Sequence, residues 1–307
     1  MKSDLVTVVI PAYNHQDYVQ EAIYSVINQT HKNIELVIFN DGSTDNTDIK
    51  IKELLPECKK RFARLEYISK ENEGLAATLN RAIDWAISDY LYIIASDDVA
   101  MPQAVDILYD FLSKYNEYAL AVGDNQIINE KSERCYWDKH KNNTNIDRAV
   151  FHTFAGYLGK NRIGRSNYKP CNYGTYKTLL KGNYITNGKM IRIRSLIKVG
   201  RFMPGMKFED WHINLQLSKY YKMKFIDQIL FSYRWHNDNS IKNTAYRTGS
   251  SKKVLEYERE NHRIWFDKYA DRRCKRKIDN KASIMRIEIR SLADAAIAWL
   301  SNVNRRG

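Results

Sequence analysis

The sequence predicts an α/β fold built on a doubly wound sheet, followed by a basic helical extension. Three observations carry this. Strand-like and helix-like stretches alternate four times within residues 1–98, the pattern of consecutive βα units. Each predicted strand runs into polar or small residues, which would gather at one edge of a parallel sheet. The fourth strand, Leu91-Tyr92-Ile93-Ile94, is apolar enough for an inner position and ends in Ala95-Ser96-Asp97-Asp98. It therefore carries two carboxylates out of the core.

The elements follow in order. Val6 to Ile10 is a β-branched run, hence a first strand. Pro11-Ala12-Tyr13-Asn14 stops it. Tyr18, Ala22, Ile23, Val26 and Ile27 recur at helical spacing, so a helix spans Asp17 to Gln29. Ile34 to Phe39 is a second buried strand, ending in the turn-rich Asn40-Asp41-Gly42-Ser43-Thr44-Asp45. An amphipathic helix runs from there to Phe62. Leu65 to Ile68 is a third strand, ending in Glu71-Asn72-Glu73-Gly74, and Leu75, Leu79, Ala82, Ile83 and Ala86 form the next helical stripe. Beyond Asp98, a helix is expected from Pro102 to Tyr115, a strand over Ala119–Val122, and a hairpin over Asn125–Trp137 turning at Asn129–Ser132. Lys139 to Asn172 is polar and basic, with one short helix expected near Arg148–Leu158. Tyr176–Leu180 reads as helix, Met190–Ile193 as strand, and Ser195–Val199 as a helical turn closed by Gly200. A helix opens at Phe208-Glu209-Asp210-Trp211 and runs to Tyr221, a strand covers Lys224–Arg234, and helix is expected from Lys252 onward.

Length and charge bound the function. The chain has 307 residues, enough for one large α/β domain plus an extension. The sequence suggests a nucleotide-binding half at 1–98, a second half of the same domain at 99–245, and a basic extension at 246–307. Residues 1–98 hold 10 Lys/Arg against 16 Asp/Glu, residues 99–251 hold 24 against 12, and residues 252–307 hold 15 against 8. An acidic first third before a basic remainder suggests two different partners. Cys58, Cys135, Cys171 and Cys274 are scattered, which argues against a zinc site or a disulfide framework. Met1 runs almost directly into a strand without a signal peptide, and no apolar run reaches the ~18 residues of a membrane span. A cytoplasmic protein is expected, peripheral on the inner face of the cytoplasmic membrane if its basic end binds lipid.

Chemistry concentrates at the predicted strand ends. Adjacent carboxylates repel, so Asp97 and Asp98 both ionise at low cost only beside a cation. They read either as a divalent-metal site for a phosphate-bearing ligand or as a solvated loop with an Asp helix cap before Pro102. The glycine fingerprint of dinucleotide binders and the P-loop pattern are both missing, which favours a carboxylate-bound metal as the phosphate-holding device. Glu209 and Asp210 suit the positive end of a helix dipole on structural grounds alone.

Taken together, Val9-Ile10-Pro11-Ala12-Tyr13-Asn14, Asn40–Asp45, the trio Asn72, Gly74 and Asn80, Ser96-Asp97-Asp98, Phe208-Glu209-Asp210-Trp211, and Tyr233-Arg234-Trp235-His236 with Ser240 resemble the family 2 glycosyltransferases of the GT-A fold. The resemblance covers Val6 to Ile241. It implies an inverting, metal-dependent transfer from a UDP-sugar to a saccharide hydroxyl in bacterial surface polysaccharide synthesis. Pro11, Ala12, Tyr13, Asn14, Asn72, Gly74, Asn80, Ser96 and Asp97 would then hold the nucleotide sugar, with Asp41 accepting the uracil N–H; Asp41 also reads as a turn former. Asp98 would be the main ligand of Mn2+ or Mg2+, with Asp97 assisting and His236 completing the site or merely closing over product. Many relatives have an acid at the position of Ala95, so this metal shell is one carboxylate lighter. Asp210 would be the general base, and Glu209, Trp211 and Arg234 would contact the acceptor. Trp211 and Trp235 suit sugar stacking and buried packing equally. The rival functions are a sugar nucleotidyltransferase and a non-catalytic glycan- or lipid-binding relative.

Near the C-terminus, Ile284, Ile287, Leu292, Ala296 and Leu300 fall on one helical side beside Arg286, Arg290, Arg305 and Arg306, and upstream lies Arg272-Arg273-Cys274-Lys275-Arg276-Lys277. A basic amphipathic helix suits an anionic membrane surface and a lipid-linked acceptor. The alternatives are docking on the catalytic domain or on a second subunit as a homodimer. No nucleic-acid-binding motif accompanies the charge.

Overall fold

The computed structural model describes residues 4–160, 168–237, 239, 242 and 244–279. The chain divides into two compact units, Met1–Asn237 and Asp238–Gly307. The first contains β1 (Val6–Ala12), α1 (Val19–Ile27), β2 (Ile34–Asp41), α2 (Thr47–Arg61), β3 (Arg64–Lys70), α3 (Leu75–Trp85), β4 (Tyr90–Ile93), β5 (Val99–Ala100), α4 (Ala104–Lys114) and β6 (Tyr118–Ile128). It continues with β7 (Arg134–Trp137), β8 (Asn143–Thr144), α5 (Phe154–Leu158), α6 (Tyr176–Leu179), β9 (Lys189–Arg192), α7 (Ile193–Lys198), α8 (Glu209–Ser218) and β10 (Lys222–Arg234).

The strands lie in the order β3-β2-β1-β4-β9-β6-β10-β5, with β7 on β6 and β8 on β7. Strands β1 to β4 are mutually parallel where they pair, and Val9 stands opposite both Val37 and Ile93. Strand β9 then runs antiparallel to both β4 and β6, and β10 runs parallel to β6 and antiparallel to β5. The sheet is therefore mixed, and β4 is inner with a parallel neighbour on one side only. Val19, Ala22, Ile23 and Val26 of α1, at helical spacing, are fully buried with Val8 and Ile10 of β1, which fixes the loop between strand and helix.

Several element limits differ from the sequence reading. The strand expected at Ala119–Val122 and the first arm of the hairpin are one continuous strand, β6, because Gly123-Asp124-Asn125 is carried across by pairing to β10. Gly123 is required there: a Cβ would stand 2.6 Å from the Leu230 side chain. Strands β5 and β8 have two residues each, too short to leave a period in sequence. The short helix near Arg148–Leu158 is confined to Phe154–Leu158, where Thr153 caps it by accepting the Gly156 N–H.

The second unit contains α9 (Thr244–Asn261), α10 (Arg263–Tyr269) and α11 (Arg272–Asp279), with α10 and α11 packed on α9. Helix α9 begins before Lys252 because it passes through Gly249-Ser250-Ser251, weak helix formers that hide it in sequence. Helix α11 buries Cys274 and Ile278, one turn apart, and exposes Arg272, Arg273, Lys275, Arg276 and Lys277. Among the described residues, no helix is long and apolar enough to cross a membrane. The amphipathic stretch expected from Ile284 to Leu300, with Arg305 and Arg306, lies outside the described residues.

Candidate active site

Because β3, β2, β1 and β4 are parallel neighbours, the loops that follow them meet at one edge. Ala12 closes β1 and is buried, whereas Tyr13 beyond it is exposed. Asn14 adopts φ +53°, and it ties two loops together. Its N–H donates to Ser43 Oγ at 3.0 Å, and its Oδ1 accepts the Thr44 N–H at 2.8 Å. The third loop is pressed against the second. Gly42 has φ +75°, and a Cβ there would stand 2.7 Å from the Asn72 backbone nitrogen, so only glycine fits. Asn72 in turn accepts the Gly74 N–H at 3.1 Å, at the start of α3.

Asp41 is buried at the end of β2. It pairs with the Lys70 ammonium and accepts the Glu73 N–H at 3.0 Å. Pro11, Ala12, Tyr13, Asn14, Asp41, Asn72 and Gly74 thus belong to one edge. Asn80 is used differently from the sequence expectation. Its Nδ2 donates to the Phe202 carbonyl at 2.8 Å and its Oδ1 accepts the Phe202 N–H at 3.1 Å. Both ends of the amide hold the segment after α7, so its polar atoms are already engaged.

The two carboxylates after β4 point to different surroundings. Asp98 was assigned as main metal ligand, with Asp97 assisting. In the fold, Asp98 is buried and turned inward, accepting the Arg234 backbone N–H at 2.9 Å and the Asn187 amide at 3.1 Å. Burial, reinforced by the charge of Asp97, holds the Asp98 carboxyl well above the usual carboxylate range. Asp97 is the one that converges with His236: its Oδ2 lies 3.0 Å from His236 Nε2 and 4.0 Å from His15 Nε2. One donor atom from each of His15, Asp97 and His236 lies within 4.8 Å of the others, a donor set whose chemistry fits a divalent transition ion. Burial works to raise the Asp97 pKa; the His236 hydrogen bond and the charges of His15 and His236 outweigh it and hold it below its ordinary value. Ser96, buried beside them, lies 2.7 Å from His15 Nδ1.

Topology explains the meeting. His15 follows β1 and Asp97 follows the adjacent parallel β4, so both land on one edge. His236 follows β10, which pairs with β5 directly after Asp98.

Two further expectations are corrected. Arg234 was placed on the acceptor. Its side chain is fully buried instead, with Nε donating to the Asp97 carbonyl at 2.6 Å and Nη1 to the Asn129 carbonyl at 3.1 Å and Ser132 Oγ at 2.8 Å. Its Nη2 pairs with Glu21, and the guanidinium lies 4.7 Å from the Tyr18 ring centroid. It is a strut beneath the Asp97 backbone, because its side chain is fully buried and its guanidinium is engaged by Glu21, Asp97, Asn129 and Ser132. Trp211 is also buried, at 2% exposure, and donates from Nε1 to the Leu179 carbonyl at 2.8 Å, so it packs α8 against α6 and offers no open ring face. Trp235 packs edge-on against Trp137 with centroids 4.7 Å apart.

Asp210 opens α8 and keeps a partly exposed carboxylate. Its Oδ2 accepts the Asn183 amide at 2.5 Å and lies 4.0 Å from Lys189 Nζ, and its Oδ1 accepts the Trp211 N–H at 2.7 Å. Asn187 holds Asp98 from the same stretch of chain, so Asn183–Lys189 borders both carboxylate centres. Beside Asp210, burial and then the Asp210 charge push Glu209 up to about 8. The folded state therefore retains a proton that the unfolded chain releases near the ordinary value of 4.5. The stability from this group is fully present below that value and is lost as pH rises through about 8. Urea midpoints measured across this window should decline with pH in the wild type, and Glu209→Gln should flatten that slope.

Sequence reasoning missed His15, Glu21, Asn183, Asn187 and Lys189. His15 stood one residue beyond Asn14 and was legible as a strand-end residue; its meeting with Asp97 needed the β1–β4 pairing. The others carried no local signal, since their partners lie 21 to 213 residues away.

The model of a family described as Glycosyl transferase family 2 matches residues 7–169. An uncharacterized glycosyltransferase of Rickettsia felis is 41% identical over 42% of this chain and 20% of its own length. The chondroitin synthase of Pasteurella multocida is 26% identical over 78% of this chain and 22% of its own length. The chain thus spans about a fifth of the length of these relatives. Among solved structures, a Pyrobaculum calidifontis mannosyltransferase with GDP-Man and Mn2+ superposes at TM-score 0.62 and 13% identity, covering 99% of this chain and 81% of that one. Staphylococcus aureus TarS 1–349 with UDP-GlcNAc superposes at TM-score 0.57 and 14% identity, covering 84% of this chain and 67% of that one.

Proposed function

Because the chain belongs to glycosyl transferase family 2, we propose that it moves a sugar from a UDP-sugar to a saccharide hydroxyl by a single inverting displacement. The observation that carries this reading is the stretch Asn183–Lys189: Asn187 holds Asp98 next to the Asp97–His236 pair, and Asn183 and Lys189 both face Asp210. A phosphate-side centre and a candidate base therefore share one support, as a displacement between two bound substrates requires.

The steps follow from the residues. Pro11 to Asn14, Asn72 and Gly74 shape the nucleotide pocket, and Asp41 takes the uracil N3–H once Lys70 makes room. Asp97 and His236 would hold a divalent ion, whose charge would offset that of the departing diphosphate. Asp210 accepts the proton of the acceptor hydroxyl. As that oxygen bonds to the anomeric carbon, the bond from the carbon to the UDP oxygen breaks and the electron pair departs with the diphosphate. Glu209 positions the acceptor beside Asp210. An α-linked donor gives a β-linked product.

The acceptor in this reading is a lipid-linked saccharide of a bacterial surface polysaccharide. Likeness to a chondroitin synthase and the exposed basic face of α11 support it. That face would sit on an anionic leaflet, peripheral to the inner membrane. The TarS neighbour binds UDP-GlcNAc and the mannosyltransferase neighbour GDP-Man, so a panel of donors discriminates. Incubation with UDP-, GDP-, CMP- and dTDP-sugars and Mn2+, without acceptor, should release nucleotide from a UDP-sugar alone. Release from a GDP-sugar, or undiminished release in excess chelator, contradicts the proposal.

A further inference from the structure

We infer that His15 is a metal ligand in this chain, so that two imidazoles and one carboxylate hold the ion and discriminate against Mg2+. The inference rests on the metal-dependent reading above and adds a residue and a selectivity to it.

The geometry of His15 is fixed on every side. Its backbone N–H donates to Thr47 Oγ1 at 2.9 Å, and its carbonyl accepts the N–H groups of Tyr18 and Val19 at 3.0 and 2.9 Å. The ring is oriented by Ser96 Oγ, 2.7 Å from Nδ1. With Ser96 accepting the Nδ1 proton, the Nε2 lone pair points toward Asp97, whose Oδ2 is 4.0 Å away. A hydrogen bond on the non-ligating ring nitrogen is the usual device that sets tautomer and direction for a metal-bound histidine. His236 offers Nε2 to the same oxygen at 3.0 Å, and the two imidazole rings lie 5.9 Å apart. An ion placed among the three atoms would be within reach of all of them after a small closure.

The donor chemistry sets the selectivity. Mg2+ binds oxygen in strict octahedral geometry and gives up water reluctantly, whereas Mn2+, Co2+ and Zn2+ accept imidazole nitrogen. Ala95 supplies no carboxylate to restore an oxygen-rich shell, and Asp98 is turned away to Arg234 and Asn187. The side chain of His15 is 24% exposed, which leaves the outer side of the ion open to phosphate oxygens.

The test is metal binding, read independently of turnover. Calorimetry of Mn2+ and Mg2+ in the presence of UDP, with pulsed EPR of bound Mn2+, is carried out on the full chain. The wild type should bind Mn2+ more tightly than Mg2+ and show two coordinated imidazole nitrogens. Ser96→Ala should weaken Mn2+ by about 10–100-fold and keep both nitrogens. His15→Ala should weaken it at least as much, show one nitrogen, and narrow the Mn2+/Mg2+ gap. His15→Gln, which retains a polar partner for Ser96, should behave like His15→Ala in the nitrogen count and separates ligand loss from misfolding. A single nitrogen in the wild type, or unchanged Mn2+ affinity in both His15 variants, overturns the His15 assignment and leaves the metal-dependent reading standing. No metal binding to the wild type with UDP overturns both.

Discussion

Asp210→Asn should lower kcat by about 10²–10⁴-fold while nucleotide binding stays intact. The substitution keeps the size of the side chain and its place at the start of α8. It removes the ability to take a proton and the negative charge that faces Lys189. Asp210 is the exposed member of the acidic pair on α8, fixed by Asn183 at 2.5 Å and by its own helix through the Trp211 N–H at 2.7 Å. An asparagine that keeps the Trp211 contact with its one oxygen presents its NH2 to the Asn183 NH2, donor against donor, so some loss of alignment accompanies the lost basicity. Asn183→Ala separates the two effects: the carboxylate remains and its orienting bond is gone, so kcat should fall less than in Asp210→Asn. Product formation with a competent donor and acceptor measures kcat, and UDP calorimetry checks binding. Near-wild-type kcat in Asp210→Asn would remove Asp210 from the mechanism. Parallel loss of UDP affinity would mean that the substitution disturbed the nucleotide edge.

Arg234→Ala should destabilise the first unit by on the order of 1–3 kcal/mol, the cost of leaving part-buried acceptors without their donor. Glu21 keeps 39% side-chain exposure and can be rehydrated, which favours the lower end. The Asp97 and Asn129 carbonyls each lose a charge-assisted donor as well. The substitution also vacates the volume beneath Tyr18 and frees the Asp97 backbone, so metal affinity should fall together with stability. Arg234→Lys should recover little, because one ammonium cannot span acceptors that the guanidinium fork reaches on Glu21, Asp97, Asn129 and Ser132. Urea midpoints of the three proteins decide this; an Arg234→Lys variant as stable as wild type would show that charge alone, rather than the fork, holds the site.

The fold was legible wherever a pattern was local. Alternating apolar runs and helical stripes located β1 to β4 and α1 to α4, and the polar strand ends located the functional edge. Strand β5 was invisible because two residues have no period, and β9 gave no hint that it would pair antiparallel between β4 and β6. At the site, the structure brings most of the marked segments to one edge, with side-chain directions that the sequence does not carry. Asp97 and Asp98 lie in a turn closed by the Asp98 N–H on the Ala95 carbonyl at 3.1 Å, so which carboxylate faces inward depends on the backbone of that turn, which motif spacing does not encode. Arg234 and Trp211 were misread for a related reason. Both are large polar-capable residues inside motifs, and only the surrounding acceptors, Asp97, Asn129 and Leu179, reveal that their polar atoms are satisfied internally.

The position of β9 has a consequence for how the chain acquires its structure. Strands β4 and β6 are both synthesised before it, yet neither pairs with the other; each pairs with β9 instead. Until Lys189–Arg192 arrives, the sheet is two separate pieces with open, apolar edges at Tyr90–Ile93 and Tyr118–Ile128. Such edges template pairing with other chains, and closure of the gap must await a contact about 100 residues distant in sequence, a slow and non-local step. Fragments ending before Lys189 should therefore aggregate or recruit chaperones, and pulse-labelling hydrogen exchange should show the β1–β4 amides protected before those of β6 and β9.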